Sequence, residues 1–374
     1  MTGRRRILSG LALAAAAWPL AAWTRAAAAP APRETYWGSG QSFAGQNYVA
    51  GTDGDGALQA HAPLPDRGHA LAVRPGTGEA VICARRPGTF LAVVDLATGA
   101  ITRMVDAPEG HHYQGHAVFS PDGRLLFVTE NAFAAARGAI GVYDAAAGYA
   151  RAGTLPSHEL DPHDIVLAPG GYLLAVANGG ILTHPDFGRT KLNLDTMSPS
   201  LAIVDARDGS LAADYRLPAA LHQLSIRHVA VRADGLVAVA MQHEGPETER
   251  PPLVGLLRGA GEIRLLEAPA PVQARMANYC GAITFDATGA VFAASHPRGG
   301  LSTFWDAEDG TYLGLAEVAD GCGIAPDGTP GGFILSSGAA GLWRYSVAAA
   351  ALTRLPGDAA PILRWDNHLT RIAV

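Results

Sequence analysis

A chain of 374 residues could hold two ordinary domains, but its internal repeats use almost all of it, so one closed domain is the better count. Lys and Arg total 28 against 34 Asp and Glu, a formal net charge of −6 that argues against nucleic acid and anionic membrane as partners. Apolar residues are plentiful, and 45 Gly and 25 Pro fit many short strands joined by tight turns, with no low-complexity block outside the N-terminus.

Residues 1–29 are expected to be a twin-arginine signal peptide. Arg4-Arg5-Arg6-Ile7-Leu8 precedes an apolar run to about Trp23, with Arg25 just beyond it and an Ala-rich stretch suited to cleavage. This predicts a periplasmic protein with no membrane span once the leader is removed; an ordinary secretory signal or a retained anchor is the alternative. Removing the Arg-rich leader makes the mature chain, 30–374, more acidic still.

Glu34 to Gly40, Asn47 to Asp53 and Ala57 to Leu64 read as three strands without a first partner. A repeated phrase follows, clearest from Gly115 to Asp144: a His-led alternating run, a Pro-Asp-Gly turn, a second apolar run, a loop and a third run. It recurs at His69, His163 and His228, and weakly at Cys280 and Cys322. Repeats of roughly 40 to 50 residues with several strands each mean a β-propeller, because no blade can bury both faces alone. The chain's last segment, Ile362 to Val374, offers one strand. Joined to the three N-terminal strands it makes a seventh blade, so the fold predicted is all-β, a seven-bladed propeller closed by N- and C-terminal strands without exposed edges.

Three cysteines, Cys83, Cys280 and Cys322, leave at least one unpaired, and none has structural-zinc spacing. A Cys280–Cys322 bridge is not expected, since strands of adjacent blades sit too far apart.

In an antiparallel blade the start of the first strand and the end of the second lie on one face. His69, His116, His163, His228 and His368 are therefore expected around one channel mouth, as a candidate site for a transition metal such as iron or copper. The open alternatives are strand-end caps that bind water, or an anion or acid/base role. Loops on the same face offer ligand-binding candidates Glu130, Asn131, Asn178, His184, Arg189, Lys191, Arg227 and Gln242, with His243 and His296 nearby. The insertion Asn178–Ser200 carries the only Lys of the chain, Lys191, together with donors suited to a small anionic ligand, and reads as a lid or as a spacer. His158, Glu159 and His163 do not form a metalloprotease motif, because the spacing is one residue too long and Pro162 would break the helix. Asp53-Gly54-Asp55-Gly56 reads as a hairpin turn, and there is no nucleophile elbow or P-loop.

HAVFSPDGRLLFVTEN…GAIGVYD resembles YVTN-type propellers, in the wider WD40-like repeat class. RGHALAVRP, ARRPGTF, VANGGILTHPDFGRTKLNLDTMSPSL and LSIRH resemble an exported family catalogued as domain of unknown function 1513. The resemblance spans most of the mature chain; Ser295-His296-Pro297-Arg298 departs from the Ser-Pro-Arg expected there. It implies a periplasmic propeller linked to iron-uptake systems with imelysin-like proteins and haem-containing oxidoreductases as partners. The resulting expectation is a metal-holding binding protein. A lactonase-like enzyme with His163 or His228 as base and Arg227 or Lys191 on an anionic substrate is one rival, and a protein-docking scaffold is the other.

Overall fold

The computed structural model describes residues 34–339, 341–357 and 363–373, so the leader expected at 1–29 lies outside the described residues. Seven four-stranded antiparallel sheets form the seven blades, each numbered here by its order after the closing blade. The innermost strands are Gly68–Val73 in blade 1, His112–Phe119 in blade 2, Pro162–Leu167 in blade 3, Leu224–Val231 in blade 4, Ala282–Phe285 in blade 5 and Gly321–Pro326 in blade 6. In the closing blade the innermost strand is the C-terminal Arg364–Ala373, followed outward by Glu34–Gln41, Asn47–Asp53 and Leu58–Leu64. Each innermost strand touches its two neighbours, and the ring closes where Arg364–Ala373 contacts both Gly321–Pro326 and Gly68–Val73. The expected closure is thus observed, with Tyr36 opposite Arg371 and Gly38 opposite Leu369.

The core lies between sheets, and the period-2 alternation of a strand explains its pattern. In blade 1, Ala80, Ile82 and Ala84 pack toward Trp37 and Val49 of the closing blade. The alternate residues Val81 and Cys83 pack toward Tyr113 and Val128 of blade 2. With both faces covered, such strands read as continuous apolar runs. The outermost strands are covered on one side only, and Ala150–Pro156 accordingly alternates between half-buried and exposed. All three cysteines are buried and free. Among the described residues no helix is long and apolar enough to cross a membrane.

One irregularity of the inner ring positions the site. The innermost strands slip register against their neighbours where the histidines occur: around His69 between Gly68 and Leu71, around His116 between Tyr113 and Ala117, and at His163 between Pro162 and Asp164. His228 ends the slip that begins at Ile226, and His368 lies in the slip facing Gly38 and Gly40. A β-bulge leaves its extra residue out of the ladder and re-aims side chains. The bulges turn residues from strands that would otherwise alternate regularly into the channel axis. Two glycines make the space for this. A Cβ on Gly115, whose φ is 110°, would stand 2.4 Å from the His69 ring, and one on Gly38 would stand 2.7 Å from the His368 carbonyl oxygen. The blade 6 inner strand also slips, between Gly321 and Ile324, with Cys322 in place of a histidine, and the blade 5 inner strand does not slip; neither adds a histidine to the axis.

Candidate functional site

The five histidines converge. His116 lies with its ring centroid 5.0 Å from His69, 5.1 Å from His163, 5.4 Å from His228 and 4.6 Å from His368. His69 Nε2 is 3.2 Å from His368 Nε2. Two sets of three, His69 with His116 and His163, and His116 with His228 and His368, bring ligand atoms within 4.8 Å of one another.

Protonation suits ligation. Burial first, then the neighbouring histidine and arginine side chains, holds His69, His163 and His368 well below the usual imidazole range. Burial brings His228 down to about 4 against the partial support of Asp164. Neutral imidazole is the form that binds a metal. Asp164, on the blade 3 inner strand, lies with Oδ1 2.9 Å from His116 Nδ1 and Oδ2 3.8 Å from His228 Nδ1, and accepts the Val229 amide at 3.1 Å. Burial opposes its ionisation, yet the adjacent His116, within hydrogen-bond distance, and then His228 hold it well below the ordinary carboxylate range. In a neutral ring that donates Nδ1–H to Asp164, the free lone pair of His116 is on Nε2, which is buried and has no hydrogen-bond partner among the described residues. A carboxylate that fixes the tautomer of a histidine is the usual support of a metal-binding imidazole. An orphaned buried acceptor costs about 1–3 kcal/mol unless something fills its lone pair. The donor set therefore fits a metal.

His163 is held differently. The Arg227 guanidinium donates to its Nδ1 at 2.9 Å, which places the proton of a neutral ring on Nε2. Neither nitrogen then has a free lone pair, so His116, His228 and His368 are the better-prepared set.

Above the cluster opens a cavity of about 440 Å³. His69 and His163 line it, together with Arg189, Lys191, Arg227 and Gln242 from the sequence candidates. The other candidates are elsewhere. Glu130 is fully buried in blade 2, bound by His111, Tyr143 and Arg151 at 2.8 Å each. Asn131 donates to the Thr183 carbonyl at 3.2 Å, tying the insertion to blade 2. Asn178 donates to the Ser157 carbonyl at 2.9 Å. His184 caps the short 3-10 turn Pro185–Phe187, accepting from the Asp186 amide. His296 is buried inside blade 5 rather than on a loop above the mouth, 3.1 Å from the Tyr279 carbonyl and 3.0 Å from Thr303 Oγ1.

The insertion is a fixed wall. Asn193 accepts from the Leu182 amide at 2.7 Å and donates to the Gly180 carbonyl at 2.9 Å. Ile181 and Met197 are buried, Lys191 pairs with Glu244 of blade 4, and Gln223 donates to the Leu194 carbonyl at 3.2 Å.

Sequence reasoning missed Asp164, which directly follows a selected histidine, and the cavity arginines Arg67, Arg85, Arg86 and Arg298. Arg85 and Arg86 follow the second strand of blade 1, Glu79–Ala84, so the topological rule that selected Asn131 and Gln242 would have reached them.

Solved structures place the architecture among propellers. The Kuenenia stuttgartiensis hydrazine synthase matches with 14% identity and a TM-score of 0.58, covering 84% of this chain and 94% of that one. A chain in the crystal structure of a mitotic checkpoint complex matches with 12% identity and a TM-score of 0.55, covering 76% and 78% respectively. At such identities the likeness is one of fold alone. No curated protein matches the sequence. A family model described as "Protein of unknown function (DUF1513)" matches residues 62–372, and the chain belongs to that family.

Proposed function

We propose that the protein is a periplasmic binding protein that holds one transition metal ion, iron or copper, on the imidazoles of His116, His228 and His368. The observation that carries this reading is the buried Nε2 of His116, left without a partner while Asp164 holds Nδ1. Imidazole suits copper and iron as well as zinc. The three thiols are poor competitors, since burial keeps them protonated and raises Cys280 to about 12. Periplasmic export and a place beside iron-uptake proteins are supported by the Arg4-Arg5 leader and the family resemblance.

A lactonase-like role is less well supported. A general base needs a free lone pair, and Arg227 occupies Nδ1 of His163, the one of the two proposed bases that lines the cavity. Elemental analysis of the protein exported in its native host tests the metal reading. About one equivalent of iron or copper is expected, and a content far below one equivalent of any transition metal overturns it.

A further inference from the structure

The cavity above the histidines has a composition opposite to that of the whole chain. Against a formal net charge of −6, its lining holds seven cationic side chains and only two carboxylates, Glu244 and Asp320. Two more carboxylates stand behind the wall. Asp366 binds Arg67 at 2.6 Å and Arg85 at 2.8 Å, while Asp161 binds Arg86 at 3.2 Å and pairs with Arg227. Counting all four carboxylates, the site keeps an excess of three positive charges.

The excess is placed where a ligand could reach it. Arg189 and Arg298, both exposed at the cavity, have no carboxylate partner among the described residues. Arg298 is instead fixed by stacking over the Tyr279 ring, 4.4 Å from its centroid. Deeper in the wall, Arg227 is only 2% exposed and its Nε has no hydrogen-bond partner. Like charges gathered this closely repel one another. Burial chiefly, and then Arg227, brings Arg86 down to about 10, and burial with Arg85 lowers Arg189. A molecule that merely needed a stable channel would not gather uncompensated guanidinium groups in one concavity. Guanidinium forks bind carboxylate and phosphate oxygens bidentately, and a concave low-dielectric wall strengthens their field.

We infer that this cavity is a binding site for a small polyanion carrying two or more carboxylate or phosphate groups, seated between Arg189 and Arg298 at the rim and Arg85, Arg86 and Arg227 deeper in. The volume, about 440 Å³, accommodates a molecule the size of a tricarboxylate or a pyrophosphate. The site does not require a metal in the cluster.

Isothermal titration of the full mature chain tests the inference, with citrate and with inorganic pyrophosphate as separate probes. The protein is first stripped of metal with 1,10-phenanthroline, since a polycarboxylate chelator would itself compete. At least one probe is expected to bind at low ionic strength and to weaken as salt rises. The double variant Arg189→Ala with Arg298→Ala removes no partner of a buried carboxylate and is expected to fold normally, while weakening binding at least tenfold. Citrate binding alone identifies the ligand as a polycarboxylate, pyrophosphate binding alone as a phosphate. No binding of either probe at 10-millimolar-scale concentration (roughly, the weakest affinity of interest), or binding unchanged in the double variant, overturns the inference. A failure here leaves the metal content untouched, and a metal-free protein that still binds citrate separates the two readings the other way.

Discussion

Asp164 Oδ1 stands 2.9 Å from Nδ1 of His116, on the next blade, and fixes which nitrogen of that imidazole is free. The carboxylate touches no metal in this arrangement; it positions the ring that would. Asp164→Asn keeps the size but can present its amide N–H to the ring, which favours the wrong tautomer. Metal affinity is expected to fall about 10- to 100-fold, the usual effect of losing such a support. Competition titration against a chromogenic chelator measures it, and circular dichroism checks that the fold is unchanged. An unaltered affinity would mean that His116 is not oriented through Asp164.

The buried pair Asp161–Arg227 gives a stability prediction. Asp161 and Arg227 are each only 2% exposed, and Asp161 also accepts from Arg86 at 3.2 Å and from Gln114 at 3.0 Å. Asp161→Asn leaves buried guanidinium charge uncompensated and should cost about 3–5 kcal/mol in urea unfolding. Arg227→Met, which removes charge instead of stranding it there, should cost clearly less. Equal losses would show that packing, not charge, dominates at this position.

His296 makes stability depend on pH. Burial brings it down to about 4 from the ordinary 6.5, so as pH falls the unfolded chain takes up the proton first. The stabilisation is complete above about pH 6.5 and is lost as pH falls through about 4, amounting to something on the order of 3 kcal/mol. Urea midpoints of the metal-free protein between pH 7 and pH 4.5 should drop more steeply for the native chain than for His296→Gln. Parallel pH profiles would place the acid sensitivity in other groups.

Within the insertion, Asn193 bonds to the segment's own backbone, whereas His184 and Lys191 are partly exposed. Asn193→Ala removes both the bond from the Leu182 amide and the bond to the Gly180 carbonyl, and should cost about 1–2 kcal/mol while speeding amide exchange across residues 180–193. The double change His184→Ala with Lys191→Ala should alter stability by no more than about 0.5–1 kcal/mol, since both groups are partly exposed. Stability that falls sharply in the double variant but not in Asn193→Ala would reverse these assignments.

Much of the fold was legible because propeller strands announce themselves. The repeated His-led run with its Pro-Asp-Gly turn marked inner strands, and the unpartnered trio Glu34–Gln41, Asn47–Asp53 and Leu58–Leu64 called for the C-terminal strand that the structure supplies. The convergence of His69, His116, His163, His228 and His368 followed from topology alone. What topology could not give was the direction of a side chain at a strand end, so Glu130 turns into hydrogen bonds within blade 2, while Asn131 and Asn178 bond to the Thr183 and Ser157 carbonyls outside their own sheets. His184 was legible as a loop residue but not as the cap of a 3-10 turn. Asp164 and Asp161 were passed over for a different reason: a carboxylate beside a histidine in sequence gains its meaning only when a neighbouring blade brings His116 or Arg227 to it.

X-ray absorption at the metal edge reads the ligands of the three-histidine site, on protein loaded with one equivalent of iron or copper. Binding by His116, His228 and His368 should give three imidazole nitrogens at about 2.0–2.1 Å with ring scattering beyond them and no sulfur, and loss of that signal in His116→Ala with His228→Ala and His368→Ala. A shell of oxygen alone, a sulfur ligand at about 2.3 Å, or a spectrum unchanged by the triple substitution would contradict it.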